Sequence, residues 1–279
     1  MKRVLLEMEK LKNPHSGLGQ FCMNLGEQLQ KINTDDLEID LYLPPALKGA
    51  FGEEFNYVSH TALHKLLPLS SNKYSIWHCL QQDSHYLPTD KNTKLILTIH
   101  DLNFLEKYKG AKQKRKLNSL QKRVNRASAI TVISKFTEII VRENLEIGNK
   151  SITVIHNGNS LKVFEDTPSP DLSKYGTYFF SIGIIAAKKN FHVLLPLLQH
   201  FKTMNLVIAG NNEGEYAKQI IALAQKMHVS DRVFLIGTIP EEQKYHFYKN
   251  CTAFVFPSLT EGFGLPVVEA MSMGKPVFL

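Results

Sequence analysis

The chain has 279 residues, of which 43% are hydrophobic and 21% are charged, and its formal net charge is +7 at pH 7. This length allows about two domains of ordinary size, and the composition is that of a globular protein and not of a disordered one. No apolar run is long enough to span a membrane, Glu7 and Glu9 interrupt the first run too early for a secretory signal, and the three scattered cysteines predict reduced thiols in a cytoplasmic protein.

Short apolar runs in the first half of the chain predict β-strands, and segments with helical periodicity separate them. These runs are RVLLEM, EIDLYL, SIWHCL, KLILTIH, AITVIS and ITVIHN. Such alternation is typical of a parallel sheet covered by helices. We therefore predict a Rossmann-like α/β domain over residues 1–165.

The segment after the first strand predicts a helix that begins at a glycine-rich loop. Gly17 and Gly19 stand at its start, where the N–H groups of a helix can bind an anion. The same glycines raise the alternative of an NAD-dependent oxidoreductase. That alternative is disfavoured because Cys22 stands where the dinucleotide motif needs its third glycine.

His100 follows the predicted strand KLILTIH, at the edge of the sheet where ligands bind in α/β proteins. A histidine at this edge is a candidate catalytic group, although a lone histidine is more often structural. Its position alone therefore leaves both interpretations open.

The segment Lys107–Arg126 contains nine basic residues and no acidic one. Leu117, Leu120 and Val124 are spaced for one face of a helix, so the segment predicts an amphipathic helix with a basic outer face. This face is either simply solvated or a docking surface for an anionic membrane. Nucleic-acid binding is disfavoured because the segment, in which Tyr108 is the only aromatic residue, lacks the interleaved aromatics of a stacking platform.

A second series of strands follows residues 157–176, which are rich in Pro, Ser, Asp and Gly and predict a linker between domains. The runs are YFFSIG, NLVIAG, RVFLIG, TAFVFPS and PVFL. They predict a second Rossmann-like domain over residues 166–279. We expect the two α/β domains to face each other across a ligand-binding cleft.

The second domain offers the residues of a phosphate site. Lys188 and Lys189 follow the strand YFFSIG, and a helix is predicted to begin after Gly264. The backbone N–H groups around Phe263, Gly264, Leu265 and Val267 are expected to be largely free to bind an anion. Ammonium groups and a helix N-terminus can offset the charge of a diphosphate. Because no DxD pair or His/Cys cluster is present, we expect a mechanism that needs no metal ion.

The stretch PSLTEGFGLPVVEAMSMGKPV resembles the signature of the family 4 retaining glycosyltransferases, which have the GT-B fold. Glu261 and Glu269 match its E-x7-E pattern. The agreement extends in order through HSGLGQF, TIHDL, VISKFT, VIHNGNS, SIGIIAAKKN and FLIGTIPEEQKYHFYKNCTAFVFPS. The HDL and KKN forms look most like the mannosyltransferase B branch, which builds O-antigen and related surface polysaccharides.

This resemblance implies a role for each matching residue. Glu269 would hold the ribose hydroxyls, Glu261 would contact the donor sugar, and Lys189 with Lys188 would hold the diphosphate. The other implied positions are Phe263, Gly264 and Leu265 on the diphosphate, Gly17 and Gly19 on the loop that closes over it, Gly237, Thr238 and Ile239 along the base, and His100 on the sugar and acceptor side. His100, Glu261 and Lys189 are thus the candidate catalytic residues.

The resemblance also implies an activity. A hexose, mannose as the first choice, would pass from a GDP-sugar or UDP-sugar to a glycan or lipid-linked acceptor with retained configuration. Retention in this family is attributed to front-face attack, so no side-chain nucleophile and no cofactor is expected. The protein would act in the cytoplasm, at the inner face of the cytoplasmic membrane.

Two departures from the family pattern leave alternatives open. Ile184 stands where many relatives have arginine, so Lys188 would have to compensate. Family members also continue past GKPVF, so we expect the second domain to be incomplete at its C-terminus. An inactive truncated fragment that retains at most nucleotide binding is therefore one alternative. A sugar-nucleotide epimerase of the same fold is another.

Overall fold

The computed structural model describes residues 1–14, 16–32 and 36–279. They form two compact units, Met1–Asn157 and Gly158–Leu279. The first unit therefore ends before residue 165, the boundary expected from the sequence. Part of the predicted linker packs on the second unit, since Leu161 contacts its apolar core and the rings of Phe164 and Tyr245 lie 6.1 Å apart.

The first unit contains a seven-stranded parallel sheet. Its strands are β1 (Lys2–Glu7), β2 (Leu37–Leu43), β3 (Asn56–Ser59), β4 (Ile76–Cys79), β5 (Lys94–Ile99), β6 (Ala129–Val132) and β7 (Ile152–Val154). Their order across the sheet is β3-β2-β1-β4-β5-β6-β7, and neighbouring strands are parallel. The six strands predicted for this half are confirmed, and β3 is an additional edge strand.

The helices of the first unit are α1 (Gly17–Leu29), α2 (Phe104–Lys107), α3 (Gly110–Arg126) and α4 (Lys135–Asn144). The Ser16 hydroxyl caps α1 by accepting a hydrogen bond from the Gly19 N–H group. The predicted basic helix is confirmed as α3, which packs Leu120 and Val124 into the core. Among the described residues, none of the helices combines the length and apolar character needed to cross a bilayer.

The second unit contains a five-stranded parallel sheet. Its strands are β8 (Tyr178–Ile182), β9 (Asn205–Ala209), β10 (Val233–Leu235), β11 (Ala253–Val255) and β12 (Val277–Phe278), and its helices are α5 (Leu195–His200), α6 (Glu215–Lys226), α7 (Glu241–Asn250) and α8 (Leu265–Ser272). The strand order is β10-β9-β8-β11-β12. All five strands predicted for this half are confirmed.

Both sheets reverse their winding direction once. In the first unit β1 pairs with β2 on one side and β4 on the other, and in the second unit β8 pairs with β9 and β11 in the same way. The loops after β1 and β4 in the first sheet, and those after β8 and β11 in the second, therefore diverge to opposite faces of their sheets. In α/β sheets such a switch point, at the carboxyl ends of the strands, is where ligands bind.

Candidate active site

Lys189 and Glu261 meet at the switch point of the second unit. Lys189 lies in a short 3-10 turn (Ala187–Lys189) after β8, and Glu261 lies in the loop after β11. The Lys189 ammonium donates to Glu261 Oε1 and lies 4.7 Å from the centre of the Phe256 ring. The Lys189 side chain is 11% exposed and that of Glu261 is 27% exposed. The two predicted residues are thus brought together at the carboxyl edge of the sheet.

Burial and the ion pair act on Lys189 in opposite directions. Loss of solvent lowers the pKa of the Lys189 ammonium, and the nearby Glu261 carboxylate raises it only part of the way back. Glu261 Oε1 also accepts a hydrogen bond from the Ser258 hydroxyl at 2.6 Å. The result is a partly desolvated cation whose attraction for an anionic ligand is stronger than that of a surface lysine.

Lys188 and Lys189 occupy different environments although they are neighbours in sequence. The Lys188 side chain is exposed, whereas its carbonyl accepts a hydrogen bond from the Leu259 N–H group at 3.0 Å. This bond ties the loop after β8 to the loop after β11. Lys188 therefore contributes to the site through its backbone in this structure, and its side chain extends into solvent.

The N-terminus of α8 lies just after Glu261 in the same loop. Gly264 has φ +81°, a left-handed conformation that favours glycine, and Phe263 beside it is half-buried. Among the described residues, the N–H groups of Gly264 and Leu265 make no hydrogen bond. The Val267 N–H group donates to the Gly264 carbonyl at 2.9 Å, so the prediction that it is free is wrong. Two donors and the helix dipole therefore remain for an anion.

Glu269 lies inside α8 in a buried polar network. Its Oε1 accepts from the Lys244 ammonium at 2.9 Å and from the Ser160 hydroxyl at 3.2 Å. Its Oε2 accepts from the Tyr248 hydroxyl at 2.9 Å. The Glu269 side chain is only 6% exposed. None of these three partners was singled out from the sequence.

Three glycines shape the sheet edge beneath this site. The Gly183 N–H group donates to the Ala209 carbonyl at 2.9 Å, and the Gly210 N–H group donates to the Gly237 carbonyl at 2.7 Å. A Cβ atom on Gly210 would lie 1.9 Å from the Gly183 carbonyl oxygen. Glycine at 210 therefore lets the loops after β8 and β9 pass in contact.

The segment predicted to follow the base, Gly237, Thr238 and Ile239, comes directly after β10. Thr238 is exposed, whereas Ile239 packs against the apolar core of the second unit. The segment lies at the same edge of the sheet as Lys189, because both follow parallel strands. Its contact with a base stays a prediction.

The predicted glycines of the first unit differ in their surroundings. Gly17 is exposed, and a Cβ atom there would meet no atom within 4 Å. Gly19 is buried, and a Cβ atom there would lie 2.1 Å from the Asn13 carbonyl oxygen. Gly19 therefore allows α1 to pack against the preceding loop, while Gly17 leaves the start of the helix open.

His100 follows β5 and is buried. Its Nε2–H group donates to the Leu80 carbonyl at 2.8 Å, and its ring meets the Phe21 ring edge-to-face at 4.6 Å. Burial lowers the pKa of His100, and the hydrogen bond to Leu80 offsets part of that effect. The imidazole is therefore held neutral and fixed in this structure. Its predicted place on the sugar and acceptor side stays a prediction.

Metal-ligating residues do not cluster in the described part of the chain. No group of three or more His, Cys, Asp or Glu side chains there is arranged to hold a metal ion. In the loops after β8 and β11, the Lys189 ammonium and the N-terminus of α8 are the features that can attract an anion.

Each of the two units matches a known protein family. The profile of Glycosyltransferase Family 4 matches residues 16–162, and that of Glycosyl transferases group 1 matches residues 164–279. The chain belongs to glycosyltransferase family 4. The family predicted from the E-x7-E stretch and its accompanying motifs is thereby confirmed.

Individual relatives are distant but match almost the whole chain. The O-antigen chain mannosyltransferase RfbU of Salmonella typhimurium is 21% identical over 299 residues, covering 99% of this chain and 81% of the relative. The O-antigen chain mannosyltransferase B of Escherichia coli is 22% identical over 311 residues, with the same two coverages. The alignment with both relatives therefore runs through both units.

Solved structures show the same fold. Anabaena HepE in complex with UDP-glucose matches with a TM-score of 0.73 and 17% identity, over 99% of this chain and 80% of that chain. The two Rossmann-like parallel-sheet units are those of a GT-B glycosyltransferase, as predicted.

Proposed function

We propose that this glycosyltransferase moves a hexose from a nucleoside-diphosphate sugar to a glycan or lipid-linked acceptor in the synthesis of a surface polysaccharide. The observation that carries the proposal is the pair of buried Lys189 and half-buried Glu261, with the N-terminus of α8 following Glu261 in the same loop. The names of RfbU and mannosyltransferase B support mannose as the first choice of sugar and O-antigen as the product class. HepE, which was solved with UDP-glucose, keeps a UDP-sugar donor open.

In the proposed reaction the donor C1–O bond to the diphosphate breaks and a new C1–O bond to the acceptor hydroxyl forms on the same face. The acceptor proton passes to the departing phosphate oxygen, so no side-chain nucleophile is required. Lys189 and the N–H groups of Gly264 and Leu265 would stabilise the charge that develops on the diphosphate. Because they supply this positive charge, we propose that catalysis does not depend on a metal ion.

The carboxylates would bind the donor on either side of the diphosphate. Glu261 would accept hydrogen bonds from hydroxyls of the sugar, and Glu269 would accept them from the ribose. Hydrogen bonds to an ionised acceptor are about twice as strong as neutral ones, so both contacts would orient the donor.

Titration calorimetry of the purified chain with GDP, UDP and NAD tests the proposal. We expect saturable binding of one nucleoside diphosphate, unchanged in the presence of EDTA, and no binding of NAD. Binding of NAD alone would instead favour the oxidoreductase. Conversion of the sugar nucleotide to an isomer without any acceptor would favour the epimerase. Failure of both diphosphates to bind would indicate the inactive fragment.

We propose further that α3 docks on an anionic membrane surface, at the inner face of the cytoplasmic membrane. Two arginines of α3 make hydrogen bonds within the protein and are not available to a membrane. Arg123 donates to the Ser84 carbonyl, and Arg126 donates to the Asp90 carbonyl. The basic side chains on and just before α3 that remain exposed are Lys107, Lys109, Lys112, Lys114, Arg115 and Lys122. Such a cluster attracts anionic lipid headgroups.

The double substitution Lys112→Gln and Arg115→Gln should weaken binding to vesicles of phosphatidylglycerol and phosphatidylcholine by roughly 30-fold at low salt. Each basic side chain near such a surface contributes about 1 kcal/mol, and two together give this factor. Vesicle co-sedimentation measures the binding affinity. The matched control is Lys202→Gln with Lys226→Gln, two exposed lysines of the other unit. Equal losses in both double variants would contradict docking through α3.

A further inference from the structure

Lys244 is a largely buried cation that contacts Glu269 from the neighbouring helix. It lies in α7, and its side chain is 11% exposed. Its ammonium donates to Glu269 Oε1 at 2.9 Å and forms a second ion pair with Glu241 at 2.8 Å. Lys244 lies outside the E-x7-E motif, and no sequence pattern marks it as a site residue.

The surroundings keep Lys244 and Tyr248, two of the three partners of Glu269, in the protonated form that donates hydrogen bonds. Burial alone would lower the pKa of Lys244, but Glu269 and Glu241 outweigh it and raise the pKa. Burial, and then the proximity of Glu269, raises the pKa of Tyr248 well above its ordinary value. Glu269 is therefore held between a permanent cation and a permanent hydroxyl donor.

The acceptor positions of Glu269 are unevenly filled. A carboxylate offers about four acceptor positions on its two oxygens. Lys244 and Ser160 use two positions on Oε1, and Tyr248 uses one on Oε2, which leaves one position unused among the described residues. The Ser160 bond is the longest of the three at 3.2 Å, and Ser160 belongs to the segment before β8 and not to a helix or strand. It is the contact that a ligand hydroxyl displaces most readily.

We propose that Lys244 is a positioning residue for ribose recognition. Its ammonium fixes Oε1 through a charge-assisted hydrogen bond, so that the vicinal ribose hydroxyls take the unused position on Oε2 and the position of Ser160. Without this cation, Oε1 would lose its charge-assisted hydrogen bond, and the carboxylate would no longer be held in one orientation. The inference rests on the proposed function, since it assumes that Glu269 holds the ribose of a nucleotide.

Calorimetry with ribonucleotides and their dideoxy counterparts tests the proposed role of Lys244 directly. Dissociation constants for GDP and UDP are compared with those for their 2′,3′-dideoxy counterparts. The wild-type chain should bind the better ribonucleotide about tenfold more tightly than its dideoxy form, as expected for hydrogen bonds to a charged group. Lys244→Met and Lys244→Gln should reduce this ratio to near one while the dideoxy affinity stays unchanged. Lys244→Arg should restore the ratio.

Several controls separate positioning from loss of structure. Lys249→Met removes an exposed lysine from the same helix and should keep the wild-type ratio. A ratio that survives in Lys244→Met and Lys244→Gln would overturn the inference and leave the proposed function intact. A wild-type chain that does not discriminate would overturn the proposed role of Glu269 instead. If neither neutral variant shows a cooperative thermal melt, the pair is required for folding and the inference is rejected.

Discussion

Replacing Lys189 with alanine should lower the turnover of the sugar nucleotide by about 100- to 1,000-fold, the loss expected when one preorganised electrostatic donor is removed. Lys189 is the buried cation at the switch point of the second unit, beside the N-terminus of α8. A surface lysine would be screened by water, whereas a partly desolvated ammonium retains more of its attraction for a diphosphate. Steady-state release of nucleoside diphosphate from GDP-mannose and UDP-glucose measures the change.

The fold of the second unit should survive this substitution. Glu261 loses its cation, but it keeps the Ser258 hydrogen bond and its side chain is 27% exposed, so water can solvate the charge. A thermal melt checks this point before the kinetics are compared.

Binding experiments show whether Lys189 acts at the diphosphate. The wild-type chain should prefer the nucleoside diphosphate over the monophosphate, and Lys189→Ala should lose most of that preference. Lys188→Ala should cause a smaller loss, because the Lys188 side chain is exposed. Lys218→Ala, on the outer face of α6, should cause none. Unchanged turnover in Lys189→Ala would refute its assignment to the donor site.

The strand pattern could be predicted because buried parallel strands have a strong sequence signal. Runs such as KLILTIH are apolar almost throughout and are bounded by polar or turn residues, so they stand out against helical segments. β3 lacks this signal. Its residues Asn56–Ser59 lie at the sheet edge and are half-buried or exposed, so no apolar run marks them. The end of the first unit at Asn157 also has no sharp sequence signal, because the packing of Leu161 on the second unit depends on tertiary contacts.

The candidate site was predictable only where it lies at strand ends. Lys189 and Glu261 follow strands of one parallel sheet, so topology alone brings their loops to the same edge. Lys244 and Ser160 lie 25 and 109 residues from Glu269 in sequence. A lysine in a polar helix is normally interpreted as solvent-exposed, so no local pattern marks Lys244 as buried. The close approach at Gly210 likewise exists only once the β8 and β9 loops are packed.

Glu7 is another buried polar residue that no local sequence pattern marks, and its burial leads to a prediction about stability. In the sequence it merely interrupts an apolar run, but in the structure it ends β1 and is almost completely buried. Its Oε1 accepts from the Glu9 N–H group at 2.9 Å, and its Oε2 has no hydrogen-bond partner within residues 1–14, 16–32 and 36–279. Burial raises the pKa of Glu7 from 4.5 to about 7, and the nearby Ser84 hydroxyl and the hydrogen bond from Glu9 offset only part of that effect.

The sign of the pH effect follows from this raised pKa. Between pH 4.5 and 7 the folded chain binds the Glu7 proton more tightly than the unfolded chain does, so the Glu7 contribution to stability falls as the pH rises. The full loss is about 3 kcal/mol, from roughly 1.4 kcal/mol for each pKa unit. The half-buried His78 acts in the opposite direction, because loss of solvent around its imidazole lowers its pKa to about 4. The contribution of Glu7 must therefore be isolated by a difference between variants.

Glu7→Gln removes this titration while keeping the oxygen that accepts from the Glu9 N–H group. Any constant cost of the amide is the same at every pH, so the stability of Glu7→Gln relative to wild type should rise by about 3 kcal/mol between pH 4.5 and 8. Urea unfolding followed through Trp77, the only tryptophan, reports on the first unit because Trp77 is buried in β4 beside β1. Glu53→Gln, an exposed carboxylate of the same unit, should show no such rise. A flat difference for Glu7→Gln would mean that the folded chain stabilises the ionised carboxylate as well as water does.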